Sequence, residues 1–234
     1  MKLNSPRETA RVAGFVFLII VFLGMSAELV IRPGMIVPGD AAATVKNIAA
    51  SQVLFRLSLV SELVRQALLM LLPLILYKLF KQVDKTIASL MVIFALVCVP
   101  ISMLNELNHF AVLLLSSGAG YLTAFKADQL NALVMFFLEL RKYGTFVPQV
   151  LSFWVLLLGY LVFKSGFLPR ILGILLMLAG SCYTVDAVLF LLVPNFDATI
   201  LGLFAFIGEL PFYLCLLIKG VNVEQWEKRA AESA

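Results

Sequence analysis

The sequence predicts an all-α, polytopic transmembrane bundle of about six spans, and two observations carry that expectation. Of its 234 residues 62% are hydrophobic and only 14% are charged, with a mean hydropathy of +1.02. A soluble domain has about a quarter of its residues charged, so this composition leaves too little polar surface for water as the solvent. The apolar residues are also gathered into six runs, each long enough for roughly 30 Å of hydrocarbon.

The first run, Val12 to Ile31, follows Lys2, Arg7 and Arg11, a signal-peptide pattern with a cleavage site near Ser26-Ala27. Its length exceeds the usual signal core, so it reads as a retained span. Arg32-Pro33-Gly34 then breaks the helix and Pro38-Gly39 makes a turn. Asp40 is placed to cap a short helix from Ala41 to Ala50, lying at the outer surface.

Leu54 to Phe80 and Ile87 to Ser116 are the second and third spans. Asp128 is placed to cap an amphipathic helix from Gln129 to Lys142 whose apolar core, Leu133 to Leu138, is too short to cross; it is expected in the interface or re-entrant. Counting it as a span makes seven. Phe146 to Phe163, Ile171 to Val193 and Ile200 to Ile218 complete the set, and the whole chain, 1–234, reads as one membrane domain. The tail, 220–234, with Trp226 among Glu224, Glu227, Lys228 and Arg229, has the make-up of a cytoplasmic interfacial helix.

Orientation follows from the basic residues. Lys2, Arg7, Arg11, Lys78, Lys81, Lys85, Lys164, Arg170, Lys219, Lys228 and Arg229 fall on one side of this arrangement. Arg32, Lys46, Lys126, Arg141 and Lys142 fall on the other. The richer side is cytoplasmic by the positive-inside rule, which puts both termini in the cytoplasm of a multi-pass protein of the cell membrane. The formal charge of +4 is spread over short clusters, which gives nucleic-acid binding little support. Cys98, Cys182 and Cys215 sit inside apolar runs without a CxxC pair and read as small core residues.

Ionisable residues inside the runs carry the functional argument, because an intramembrane charge costs from about 2.5 kcal/mol to more than 10 unless it is paired or faces water. Glu28, Arg56, Glu62, Arg65, Glu106, His109, Asp186 and Glu209 are all so placed. At about 1.5 Å per residue from the nearest inner basic residue, Glu28 lies at ~25 Å, Glu62 and Asp186 at ~24 Å, Arg65 at ~20 Å and Glu209 at ~15 Å. Glu106 and Arg56 reach ~31 and ~33 Å. The expectation is one polar layer in the outer half of the bilayer.

Glu62 and Arg65 share a helix face at i,i+3, as do Glu106 and His109, with Asn105 at i,i+4 from His109. The plain alternative is that Glu28, Arg56, Glu62 and Arg65 form ion pairs that only fix helix packing. Five carboxylates facing two arginines leave an excess, however, which calls for protons, a cation or water.

Glu106-x-x-His109 is also the spacing used by carboxylate-bridged metal sites in helical bundles, with Glu62, Asp186 or Glu209 available to complete it; a lone histidine is more often simply packed. Pro73, Pro100 and Pro211 lie within spans, and Gly208 to Pro211 is the candidate for a broken helix lining a cavity. No Walker loop, GxSxG elbow, HExxH pair, zinc spacing or internal repeat is found, and no cofactor is named by a motif.

Ile36 to Thr44, Leu54-Phe55-Arg56, Ser165 to Arg170 with Leu172-Gly173, and Asp186 resemble a bacterial membrane family known as domain of unknown function 4386, over most of the chain from Arg11 to about Ile218. The resemblance implies a multi-pass protein of the bacterial inner membrane and carries no activity.

The leading expectation is therefore a polar pocket for a small molecule or lipid, in a transporter or sensor. Its residues are Glu28, Arg56, Glu62, Arg65, Asn105, Glu106, His109, Asp186 and Glu209. A second reading is an intramembrane enzyme acting on a lipid, with His109 and Glu106 or Glu209 as acid and base and Arg65 as electrostatic stabiliser. A third is a structural or assembly protein, in which Gly173 and Gly180, seven apart on one face, pack against a partner.

Overall fold

The computed structural model describes residues 5–193, 196 and 199–232. Lys2, counted above among the inner basic residues, lies outside them. The described residues are helical with short connections. Helix α1 is Pro6–Met25, continued by a π-helical turn at Ser26–Ile31; α2 is Ala41–Ala50, α3 Gln52–Phe80, α4 Lys85–Asn105 and α5 Leu107–Leu115. A 3₁₀ turn at Gly120–Ala124 precedes α6 (Ala127–Val150), α7 (Phe153–Ser165), α8 (Arg170–Leu192), α9 (Thr199–Ile218) and α10 (Val223–Glu232). Six stretches are long and apolar enough to cross a membrane: Pro6–Glu28, Gln52–Phe80, Lys85–Leu115, Ala127–Ser165, Arg170–Leu192 and Ile200–Ile218. The protein is an all-α polytopic bundle.

Local chemistry explains the boundaries. Asp40 caps α2 as expected, its Oδ1 accepting from the Ala43 N–H at 2.9 Å, while buried Thr44 accepts from the Val37 N–H at 2.9 Å and so closes the Pro38-Gly39 turn. Asp84 does the same for α4, accepting from the Ile87 N–H at 2.9 Å. Gly166, at φ 77°, ends α7 in the left-handed conformation.

One segment differs from its expectation. Asp128 lies in the first turn of α6 and does not precede it, and the helix runs past Lys142 to Val150 as part of the fourth apolar stretch. The sequence ends a short amphipathic helix at Lys142. Arg141 is instead neutralised by carboxylates, so it gives the helix no reason to stop there.

The chain forms two compact units. One comprises residues 1–19, 68–99 and 146–234. In it α7 and α8 approach backbone to backbone through small residues: a Cβ on Gly159 would lie 2.7 Å from the Gly173 carbonyl oxygen, and one on Gly180 would lie 2.6 Å from the Leu156 nitrogen. The Gly173/Gly180 face expected to meet a partner protein is thus occupied by α7 of the same chain, because only glycine permits so close an approach. Phe17 stacks on Tyr213 at 3.6 Å, and the Trp226 indole donates to the Leu79 carbonyl at 3.0 Å, tying α10 to the end of α3.

The other unit comprises residues 20–67 and 100–145. Its core is Met35, Ile48, Phe55, Leu59, Val112, Leu113, Val134 and Leu138. Within it α4 gives way to α5 at Glu106, whose N–H is shared between the carbonyls of Ser102 at 3.3 Å and Met103 at 3.2 Å.

Candidate functional site

The unit of residues 20–67 and 100–145 holds a cavity of about 240 Å³ lined by Gly24, Glu28, Glu62, Arg65, Gln66, Ser102, Asn105, Glu106, Arg141 and Thr145. Every lining residue except Gly24 is polar. Gly24 makes room for Arg65, since a Cβ there would stand 3.1 Å from the Arg65 Cδ.

Four segments bring charges to this wall. The Arg65 Nε lies 3.0 Å from both oxygens of Glu62 on the same face of α3, and the Gln66 amide donates to Glu62 Oε1 at 3.2 Å. From α6, Arg141 reaches Glu106 Oε1 at 3.2 Å and Glu28 Oε1 at 3.1 Å. Glu28 is also paired with Arg32, one helical turn further on. His109 Nδ1 lies 2.7 Å from Glu106 Oε2 and the imidazole packs edge-on against Phe55. The Asn105 amide donates to the Arg141 carbonyl at 2.8 Å, fixing α4 to α6 beside Gly144, where any Cβ would strike the Asn105 side chain.

Of the residues singled out from sequence, Glu28, Glu62, Arg65, Asn105 and Glu106 line this cavity, and His109 stands against Glu106. Arg56 does not join them. It is exposed, and nine residues from Arg65 is two and a half turns, which places it on the opposite face of α3.

Asp186 and Glu209 belong to the other unit, where both are buried. There Gln149 donates to Asp186 Oδ2 at 3.0 Å, and the Tyr183 phenol lies near Glu209. At the Glu106-x-x-His109 pair, His109 and Arg141 contact the Glu106 oxygens, and among the described residues no three His, Cys, Asp or Glu side chains converge.

Sequence reasoning missed Arg32, Arg141 and Gln66. Arg32 had a signal, the i,i+4 spacing from Glu28. Arg141 had one only if α6 is read as continuous through Gly144. Burial, with the neighbouring Arg141 charge, holds the Arg32 guanidinium down at about 10, against the pull of Glu106 and Glu62, so it remains cationic near neutrality.

Comparison with known proteins gives a family but no assigned chemistry. The family described as "Domain of unknown function (DUF4386)" matches residues 12–220. The chain belongs to that family. An uncharacterized protein of Archaeoglobus fulgidus is 38% identical over 71 residues, covering 30% of this chain and 41% of that protein, so the match spans less than half of the relative's length. No solved structure matches the chain.

In this DUF4386 member the site's chemistry is set by charge balance. Glu28, Glu62 and Glu106 are matched by Arg32, Arg65 and Arg141, which offsets much of the cost of the buried charges among them. The balance is incomplete in bonding terms. Among the described residues the Oε1 of Gln66, a residue of the cavity wall, is buried without a hydrogen-bond partner, as are Arg32 Nε and Nη2. Polar groups left in this state are the ones a bound molecule or water satisfies.

Proposed function

We propose that the cavity of residues 20–67 and 100–145 binds a small polar molecule or a lipid headgroup, and that the protein works as a transporter or sensor in the cell membrane with both termini in the cytoplasm. The observation that carries this reading is the cavity wall: nine polar side chains around about 240 Å³, drawn from apolar-rich helices. A network serving only to fix helices needs no polar hollow, since closer packing of the same side chains would keep more contacts. A lipid-facing protein has headgroups and small solutes at hand to fill it.

Alternatives separate cleanly by substitution. Purified protein, screened by thermal-stability shift against amino acids, sugars, amines, phosphates and lipid headgroups, is expected to respond to at least one class. Arg65→Ala and Glu106→Gln should remain folded in part and lose that response by about tenfold or more. Folding defects without any ligand response in the parent protein would support a purely structural network instead. Chemical turnover of the bound molecule that Glu106→Gln abolishes while binding survives would support the intramembrane enzyme. Silence of the parent protein across every class ends the binding reading.

A further inference from the structure

The unused bonding capacity around the cavity is of two opposite kinds, and this narrows the ligand. Glu28 accepts both of its guanidinium contacts on Oε1, leaving Oε2 without a hydrogen bond among the described residues, and its side chain is 49% exposed at the cavity wall. Gln66, 3% exposed, turns its Nε2 to Glu62, which fixes the amide's orientation and leaves Oε1 as a buried acceptor with no donor. These two oxygens ask for N–H groups.

On the donor side, Arg65 and Arg141 spend Nε and Nη2 on carboxylates, and neither Nη1 carries a hydrogen bond among the described residues. Glu62 and Glu106 have both oxygens already engaged by donors of the protein itself.

We propose, building on the pocket reading, that the cavity takes a zwitterion: an ammonium group held by Glu28 and Gln66, and an anionic phosphate or carboxylate held by Arg65 and Arg141. The three-to-three balance of carboxylates and guanidiniums supports this over a singly charged ligand. With His109 set aside, the site carries no net formal charge, so a lone anion or cation would bring in a charge without a counterpart, whereas a zwitterion adds none. A free zwitterion and a zwitterionic lipid headgroup present the same two groups, and the cavity volume of about 240 Å³ holds a group the size of phosphoethanolamine.

The test uses the full chain in nanodiscs of phosphatidylglycerol and of phosphatidylethanolamine. Phosphoethanolamine, phosphate and ethanolamine are added separately to the former, and thermal stability is read in each case. Stabilisation by phosphoethanolamine beyond phosphate or ethanolamine alone identifies a soluble zwitterion. Stabilisation by the phosphatidylethanolamine disc, with no further response to the soluble probe, identifies the lipid.

In whichever arm responds, Glu28→Gln and Gln66→Leu should each weaken the zwitterion's effect by about tenfold, the range expected for a charge-assisted hydrogen bond. Any weak effect of phosphate alone should stay unchanged. Phosphate alone binding as well as phosphoethanolamine, or a neutral sugar being the only responder, overturns the zwitterion and leaves the pocket reading intact. No response in any arm, with Glu28→Gln as stable as the parent, overturns the zwitterion; the broader panel then decides the pocket itself.

Discussion

Arg141 joins two carboxylates that come from different helices, and removing it strands Glu106 with His109 as its remaining charged-group contact at 3% side-chain exposure. Breaking a buried pair from one side costs about 3–5 kcal/mol, because a charge is left buried without compensation. Arg141→Met should therefore lower stability by roughly 3 kcal/mol in thermal or denaturant unfolding, and adding Glu106→Gln should recover part of it. The adjacent Lys142 is exposed, so Lys142→Ala should stay within about 0.5 kcal/mol of the parent. Equal effects at the two positions would remove the network from any account of stability.

Arg32 behaves differently with pH. Its buried guanidinium loses its proton at about 10, below the ordinary arginine value, so between those limits the unfolded chain binds more protons than the folded one. The burial penalty is thus fully present below about pH 10 and fades as pH rises through that window. Between about pH 6 and 9 the group supplies no slope, and stability profiles of Arg32→Gln and the parent should run parallel there. Converging profiles would show that Arg32 already titrates in that range. What sequence alone made visible at this scale was the i,i+3 pairing of Glu62 with Arg65 and of Glu106 with His109. It did not show which cations answered the surplus carboxylates, since Arg32 and Arg141 looked like loop charges.

Among the helices, glycine decides how closely neighbours approach. A Cβ on Gly173 would meet the Phe163 nitrogen at 2.6 Å and the Gly159 carbonyl at 2.7 Å, both backbone atoms that yield only if α7 and α8 separate. Gly173→Ala should cost roughly 2–3 kcal/mol. Gly144→Ala meets only the Asn105 side chain, which can swing away, but doing so gives up its 2.8 Å bond to the Arg141 carbonyl, so about 1–2 kcal/mol is expected. Gly120, with nothing within 4 Å and no positive φ, serves as the neutral control. A Gly173→Ala protein as stable as Gly120→Ala would contradict the backbone contact. The six apolar stretches were legible because hydrocarbon thickness sets their length. The extent of α6 was not: its continuation depends on Arg141 turning onto Glu28 and Glu106, a fact of tertiary pairing that periodicity within α6 does not contain. The Gly173/Gly180 stripe was legible as a packing face, but sequence does not say whether the second helix belongs to the same chain.

At the scale of the whole molecule, the topology proposed from charge is open to a direct test. The stretch Ala127–Ser165, 39 residues, is longer than one crossing needs, so Arg141 and Lys142 fall toward its outer end in this topology. The connections after the first, third and fifth stretches then carry only Arg32, Lys46 and Lys126, and Arg32 is already spoken for by Glu28. The connections after the second, fourth and sixth stretches lie among Lys78, Lys81, Lys85, Lys164, Arg170, Lys219, Lys228 and Arg229. The rule counts basic residues near span ends in short loops, and the second group is the richer one. Single cysteines in a background free of Cys98, Cys182 and Cys215 test it. Ser117→Cys, at an exposed position after the third stretch, should react with a membrane-impermeant maleimide on intact cells. Lys81→Cys and Ala231→Cys, also exposed, should react only after the membrane is opened. Labelling of Lys81→Cys on intact cells would invert the bundle. Labelling of Ser117→Cys and Ala231→Cys alike would make the number of crossings odd, which six stretches do not allow.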